Sequence, residues 1–438
     1  MYKSFFLLLT FLTFWSGCTT DSGDNTIEAT ASKMMVIRLS FTNESFTESE
    51  TRWQEKIFGE NIGQLNHYYQ EVSSGQFIFT PVDDAGLVQN GIVTLDMNAL
   101  HPNPRTADPY FEQDLKSKVH PLFKTALEQI TTDGFDFSLY DTNKDSKITP
   151  NELIIIFIMA GQEDAYALNS DNGIWAHEWC TEDFTTTVNG VSVMSCADGG
   201  DYAVFGERHG THDATIGIIA HELGHVAFSL PDLYYGSATR IGYYGLMSNG
   251  SWGQATLSGL AGDTPTHFCA WSKLDIGWYR AHVAQNGYEA LTLFDTGSNS
   301  YNIVKVPLKN SSSEYFLLEN RGTRGYDTGL NVIDDSWTNY SGGIAIWHID
   351  ESVIAAKRAD NIVNSDATHK GVDLEEANGL TVDDGNGDPS KNFYYSGNKT
   401  QFSPYTYPNT NAYNGTSSGI NISDISAVSN AMTVNVTN

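Results

Sequence analysis

The segment AHELGHVAFSLPDLYYG occupies residues 220–236. It sets His221 and His225 four residues apart, with Glu222 beside the first. On a helix, that spacing puts both imidazoles on one face, about one turn apart. Two neighbouring corners of a tetrahedral zinc site have this separation. Glu222 is offset around the helix, where it can take a proton from water instead of ligating the metal. The plain alternative is a helix with two histidines satisfied by neighbours. The flanks weigh against it: IGIIA (216–220) is apolar and β-branched, as in a buried helix, and Gly224 lets another backbone approach closely. A catalytic zinc site needs a third protein ligand. Pro231 breaks the helix near Ser229–Pro231, and Asp232 follows at once. Asp232 is the expected third ligand; His267 competes, as do His209 and His212 just before the helix.

Downstream, YYGLMSNGSWG (243–253) places Met247 in a Gly/Asn/Ser turn, about 20 residues after His225. A methionine turn beneath the metal accompanies the metzincin class of zinc proteases. With these residues in hand, the sequence resembles the immune inhibitor A type of secreted bacterial metalloproteases. Pro231-Asp232-Leu233-Tyr234 stands where that family continues from its second histidine. LNHYYQEVSSGQF (65–77), FDFSLYDTNKDSKI (135–148), GIWAHEW (173–179) and THFCAWSKLDIGW (266–278) follow in the family's order. So do EYFLLENR (314–321), GGIAIWHIDE (342–351) and HKGVDLEEANG (369–379). Two departures stand out. Phe228 occupies the position where the family usually has Gly, and Asp232 lies one residue later than the common spacing. No large propeptide precedes the first strand, so inhibition by a long prodomain is not expected.

DTNKDSKITPNE (141–152) carries oxygen groups at positions 1, 3, 5 and 12 of a twelve-residue loop, the EF-hand spacing for calcium. Asp141, Asn143, Asp145 and Glu152 would give side chains, and Lys147 its carbonyl. Ser146 replaces the expected glycine at position 6, and Pro150 argues against a following EF helix. The loop therefore belongs to a helix-to-strand connection. The family resemblance implies a structural calcium here. Glu375 and Glu376 are a weaker second calcium candidate. His177, between two tryptophans, and His348, in an alternating strand, read as packed structural histidines.

The chain has 438 residues, 40% hydrophobic and 18% charged, which is a globular composition long enough for a large domain plus a smaller one. Its formal net charge of −29 disfavours nucleic acid and anionic membrane surfaces as partners. Lys3, the apolar run Phe5–Trp15 and Ser16-Gly17-Cys18 read as a secretory signal. The ending resembles a bacterial lipobox with Cys18 as the lipidated residue, which would be the chain's one link to a membrane. Residues 19–33 read as a flexible tether. In an oxidising compartment Cys180 and Cys196 could close a hairpin-sized loop, leaving Cys269 buried and free.

Residues 34–41 read as a strand, 48–73 as a helix through Trp53, Ile57, Leu65 and Tyr69, and 110–131 as a second long helix. ELIIIFIMAG (152–161) is a buried central strand, and 211–230 is a helix. From about residue 288 short strands alternate with Asn/Gly/Ser/Asp turns. The expected fold is α+β. A metzincin-like zinc-protease domain with a twisted mixed sheet and long helices spans 34–285, and a β-rich, sandwich-like domain spans 286–438. The expected function is a zinc endopeptidase, exported or anchored to the surface of a bacterium and monomeric, that cuts protein or peptide substrates. Glu222 would serve as general base and then acid. Tyr234, Tyr235, Tyr243 and Tyr244 are the oxyanion candidates. The rival reading is a non-catalytic surface binding protein on the same scaffold; the presence of Glu222 weighs against it.

Overall fold

The computed structural model describes residues 30–104, 110–167, 170–182, 185–381 and 389–438. The signal segment, Cys18 and most of the tether lie outside these residues. The fold is organised by a mixed sheet around the strand Ile154–Glu163. Thr30–Ser40 runs parallel along one side of it, with Met34 opposite Ile154, and Tyr202–His209 runs parallel along the other. The far edge of Thr30–Ser40 carries Phe77–Pro81 and then Ile92–Asp96, both parallel. The short strand His177–Trp179 closes the opposite edge, antiparallel to Tyr202–His209. Strand pairing starts at Thr30, so residues 30–33 of the expected tether already belong to the sheet.

Parallel strands covered on both faces read as continuous apolar runs, and these do. Along IIIFIM, Ile154, Ile156 and Ile158 face one core while Ile155, Phe157 and Met159 face a second. The second core is covered by the helical segment 110–132. It is not one regular helix, because a π-turn over Leu115–Val119 precedes His120–Thr132, with Pro121 near the start of the latter. The first core is covered by the motif helix Ile216–Phe228 and two short helices, Glu50–Phe58 and Leu65–Val72. The single helix expected over 48–73 is therefore broken. Gly59 caps the first piece in extended backbone and Gly63 takes φ +84°, so the four-residue apolar rhythm spans a turn. The motif helix also starts later than expected: His212–Asp213 pairs back on Arg208–His209, and Thr215 is the N-cap.

The C-terminal part is built from a five-stranded sheet and a three-stranded one. The first comprises His282–Val283, Val304–Pro307, Glu314–Arg321, Gly343–Asp350 and Val372–Leu374; the second joins Tyr288–Phe294, Ala431–Thr437 and Asn421–Ser423. The two central strands of the five-stranded sheet, Glu314–Arg321 and Gly343–Asp350, are buried on both faces. Phe316, Leu318, Ile344 and Ile346 meet the three-stranded sheet in a third core. The alternate residues Tyr315, Leu317, Trp347 and Ile349 join the core that contains the motif helix. At roughly 1.5–3 kcal/mol per buried large apolar side chain, those four join the two parts with on the order of 10 kcal/mol. His282–Val283 lies before the expected boundary at residue 286, yet it already pairs into the second part.

Candidate metal centre and cleft

The motif helix is buried along most of its length, including His221 and Glu222. His221 Nδ1 lies 2.9 Å from the carbonyl of Leu246, and His225 Nδ1 lies 2.6 Å from that of Leu230. A carbonyl only accepts, so both Nδ1 atoms carry a proton, and Nε2 is the atom each ring has left to ligate a metal. The helix ends at Ser229, whose φ of +52° is left-handed and whose N–H returns to the His225 carbonyl at 2.7 Å. The reversed chain brings Asp232 back over the helix. Asp232 Oδ1 is 3.1 Å from His221 Nε2 and 3.2 Å from His225 Nε2, and the two Nε2 atoms are 3.2 Å apart. Ligands about 2.05 Å from a tetrahedral zinc ion lie about 3.3 Å from one another, so the donor set fits that ion. Among the described residues, no other three His, Cys, Asp or Glu ligand atoms lie within 4.8 Å of one another.

The competitors are elsewhere. His267 is buried against Glu71, with Nε2 to Oε1 at 3.1 Å. His209 stacks on Tyr166, and His212 Nδ1 bonds the Asp213 carbonyl. Met247 is buried under the helix: a Cβ on Gly224 would meet its Sδ at 2.4 Å and the Phe268 ring at 3.6 Å. Gly224 thus makes room for a methionine and a phenylalanine, not for the expected second backbone. The preceding residue, Leu246, supplies the carbonyl that orients His221.

Burial pushes the Glu222 carboxyl up, and His221 and His225 offset this only in part. Burial also disfavours a charged His225, but Asp232 and Glu222 outweigh it and raise the imidazole to about 10. Burial would raise Asp232, but the two histidines hold it well below the usual carboxylate range. A 230 Å³ cleft, lined in part by Trp175, His221, Glu222, Tyr234 and Trp252, opens onto these groups. Of the four tyrosines, Tyr234 alone lines it, with a side-chain hydrogen bond to Asp232. Tyr235 is exposed, Tyr243 bonds Asp334 at 2.8 Å, and Tyr244 is buried against Asn392.

Some contributors carry no local signal in the sequence. Glu163, fully buried at the end of the central strand, accepts N–H bonds from Ala165, Ala176 and Gly206 at 2.8–2.9 Å. Burial raises it to about 8 despite those bonds. It ties the central strand to the segment carrying Trp175. Asn361 holds Asp232 from 129 residues away.

In the 141–152 loop, Asp141 accepts the N–H groups of Asp145 and Ser146, and Asp145 accepts that of Lys147. Glu152 accepts those of Thr142 and Asn143. Ser146 takes φ +63°, the conformation usually given to the loop's glycine. Cys180 and Cys196 are joined in a disulfide, and Cys269 is free and buried. His177 is buried, with Nδ1 on the Trp175 carbonyl and Nε2 near the Tyr202 hydroxyl. His348 lies between Glu314 and Glu375 at 3.1 and 3.2 Å, and Glu376 is buried beside them in sequence. No described helix is long and apolar enough to cross a membrane.

Two histidines and an aspartate converging beside a buried glutamate, at the floor of a cleft, form a donor set that could hold a metal ion. The profile of the immune inhibitor A peptidase M6 catalytic domain matches residues 5–281, well over half the chain. The chain belongs to that family. It is 29% identical over 254 residues to immune inhibitor A of Bacillus thuringiensis subsp. alesti, covering 53% of this chain and 35% of that protein. It is 27% identical over 300 residues to pre-pro-metalloprotease PrtV of Vibrio cholerae serotype O1, strain M66-2, covering 60% of this chain and 31% of that one. The chain therefore spans about a third of the length of these relatives.

Proposed function

We propose that this protein is a zinc-dependent endopeptidase that hydrolyses peptide bonds in protein or peptide substrates. The observation that carries the reading is the convergence of His221 Nε2, His225 Nε2 and Asp232 Oδ1 within 3.2 Å, beside Glu222, in an open cleft. When bound, zinc supplies Lewis-acid polarisation of the scissile carbonyl and of water. His221, His225 and Asp232 hold it. The buried Glu222 carboxylate takes the proton of the attacking water and returns it to the leaving amine. Tyr234, hydrogen-bonded to Asp232 in the cleft, is the candidate donor to the developing oxyanion. The buried Met247 beneath the ligands, with the twisted mixed sheet, supports the metzincin-like assignment. The two packed C-terminal sheets support a sandwich-like second domain.

The 141–152 loop is proposed as a structural calcium site, with Asp141, Asn143, Asp145, Glu152 and the Lys147 carbonyl as ligands. Export, lipid attachment at Cys18 and a monomeric state complete the reading; the signal-like first 18 residues and the disulfide support export. The test is casein digestion by the purified protein with and without a zinc chelator, alongside Glu222→Gln. The variant should keep stoichiometric zinc yet lose several orders of magnitude in turnover. Near-parent turnover by a folded, zinc-loaded Glu222→Gln protein would overturn the mechanism.

A further inference from the structure

Between the motif helix and Leu233 the Ser229, Leu230 and Leu233 N–H groups and the Leu230 carbonyl find partners within residues 224–247, but the Ser229 and Leu233 carbonyls and the Asp232 N–H do not. Ser229 sits at φ +52°, a conformation that costs a non-glycine residue on the order of 1 kcal/mol. Pro231 has no N–H, and Asp232 must present one carboxylate oxygen, not two, toward the histidines. The partners of those three groups come from residues 358–364 of the C-terminal part. Arg358 donates to the Ser229 carbonyl at 2.8 Å while its guanidinium is held by Asp275 at 2.7 and 2.9 Å. Asn361 engages Asp232 twice: its amide oxygen accepts the Asp232 N–H at 2.6 Å, and its amide nitrogen donates to Asp232 Oδ2 at 2.7 Å. Asn364, fully buried, donates to the Leu233 carbonyl at 3.1 Å.

We propose that the 358–364 segment is the outer half of the metal site, and that Asn361 is the positioning residue that fixes Asp232 as a one-oxygen ligand. This rests on the zinc reading above. The geometry gives the reason. With Oδ2 engaged by the Asn361 amide, Oδ1 is the oxygen that faces the two Nε2 atoms, while the Tyr234 hydroxyl bonds the same carboxylate from the cleft. The Asn361 side chain also holds the Asp232 main chain, so the ligand is fixed at both ends. Asn361 itself is in place because it closes the turn Arg358–Asp360 at φ +53°, its N–H returning to the Arg358 carbonyl. The metal site is therefore a joint product of the two parts of the chain, and the C-terminal part is not an appendage to it. Outer partners of this kind commonly account for 10- to 100-fold in metal affinity.

The experiment uses the full chain. Zinc affinity is read by competition with a chromogenic chelator, ligand geometry by the visible bands of the cobalt-substituted protein, and folding by the melting temperature of the metal-free form. Asn361→Ala should weaken zinc binding about 10- to 100-fold, alter the cobalt bands, and leave the metal-free melting temperature within a few degrees of the parent. Asn361→Asp keeps the shape but replaces the donor with an oxygen, and should weaken binding at least as much. Asp360→Ala, exposed on the same turn, should match the parent. Zinc affinities for both Asn361 variants within about threefold of the parent would overturn the proposal while leaving the zinc reading intact. Loss of the metal-free fold in both variants also overturns it, because Asn361 would then serve the fold and not the ligand. A parent chain that does not bind zinc removes the zinc reading itself, which is a distinct result.

Discussion

Arg321 offers a severe test of how the two parts are joined. Its side chain is fully buried, as are those of Asp327 and Glu319. The guanidinium is bidentate to Asp327, with Nε to Oδ2 at 2.8 Å and Nη2 to Oδ1 at 2.5 Å. Its Nη1 donates to the Tyr244 carbonyl at 2.7 Å, two residues before the Leu246 carbonyl that orients His221. Arg321→Met fills similar volume but takes the guanidinium from two buried carboxylates, leaving Asp327 with only the Thr296 hydroxyl and the His267 N–H, and Glu319 with Tyr301, Trp347, the Ala270 N–H and Lys273, which burial lowers to about 8. Breaking a buried pair from one side costs about 3–5 kcal/mol, a large share of the 5–15 kcal/mol typical of a folded protein. The exposed pair Lys33–Asp83, 3.0 Å apart, is the control: Lys33→Met should cost no more than about 1 kcal/mol. Arg321→Met combined with Asp327→Asn should be less destabilised than the sum of the single changes, because the pair is coupled. Urea unfolding of the parent, Arg321→Met, Asp327→Asn, their combination and Lys33→Met measures this, provided the slope is common to all five. Equal losses for Arg321→Met and Lys33→Met would refute the reasoning.

Calcium should raise the melting temperature of the parent by linkage, and Asp141→Ala with Asp145→Ala should abolish the rise; a full response in the double variant would place the ion elsewhere. Replacing both Cys180 and Cys196 by serine opens a loop with a sequence separation of 16 and should cost about 3 kcal/mol, read by chemical denaturation under non-reducing conditions. Burial lowers His177 to about 4. The unfolded chain therefore takes up this proton near pH 6.5, well before the folded protein does. The contribution is full above pH 6.5 and lost as pH falls toward 4, on the order of 3 kcal/mol. The stability difference between the parent and His177→Phe should shrink by that amount across this window, and a pH-independent difference would contradict it.

How far the sequence could be read follows from how far apart the partners lie. His221, Glu222 and His225 are set by one helical turn, and Pro231 announces the reversal that returns Asp232; four residues within twelve carry their own geometry. The central strand was equally legible, since six consecutive apolar residues covered on both faces leave little alternative. The failures are local cases where one rhythm imitates another. Trp53, Ile57, Leu65 and Tyr69 keep a four-residue step that a helix would produce, but Gly59 and Gly63 stand between them, and these punctuate the chain more strongly than the step extends it. The segment 211–214 extends the apolar helix only on paper, because Thr215 is a start signal that outranks the residues before it. What no local pattern could disclose is Asn361 meeting Asp232, or Arg321 meeting Tyr244. Each pairs a short polar motif with a partner at least 77 residues away. Such pairs are fixed by the packing of two sheets, through Leu317 and Trp347 on one side and the motif helix on the other. The centre of the site is thus written in one helix, while its rigidity is written across the whole chain. Changes that loosen the contact between the two parts should therefore weaken metal binding before they touch any ligand.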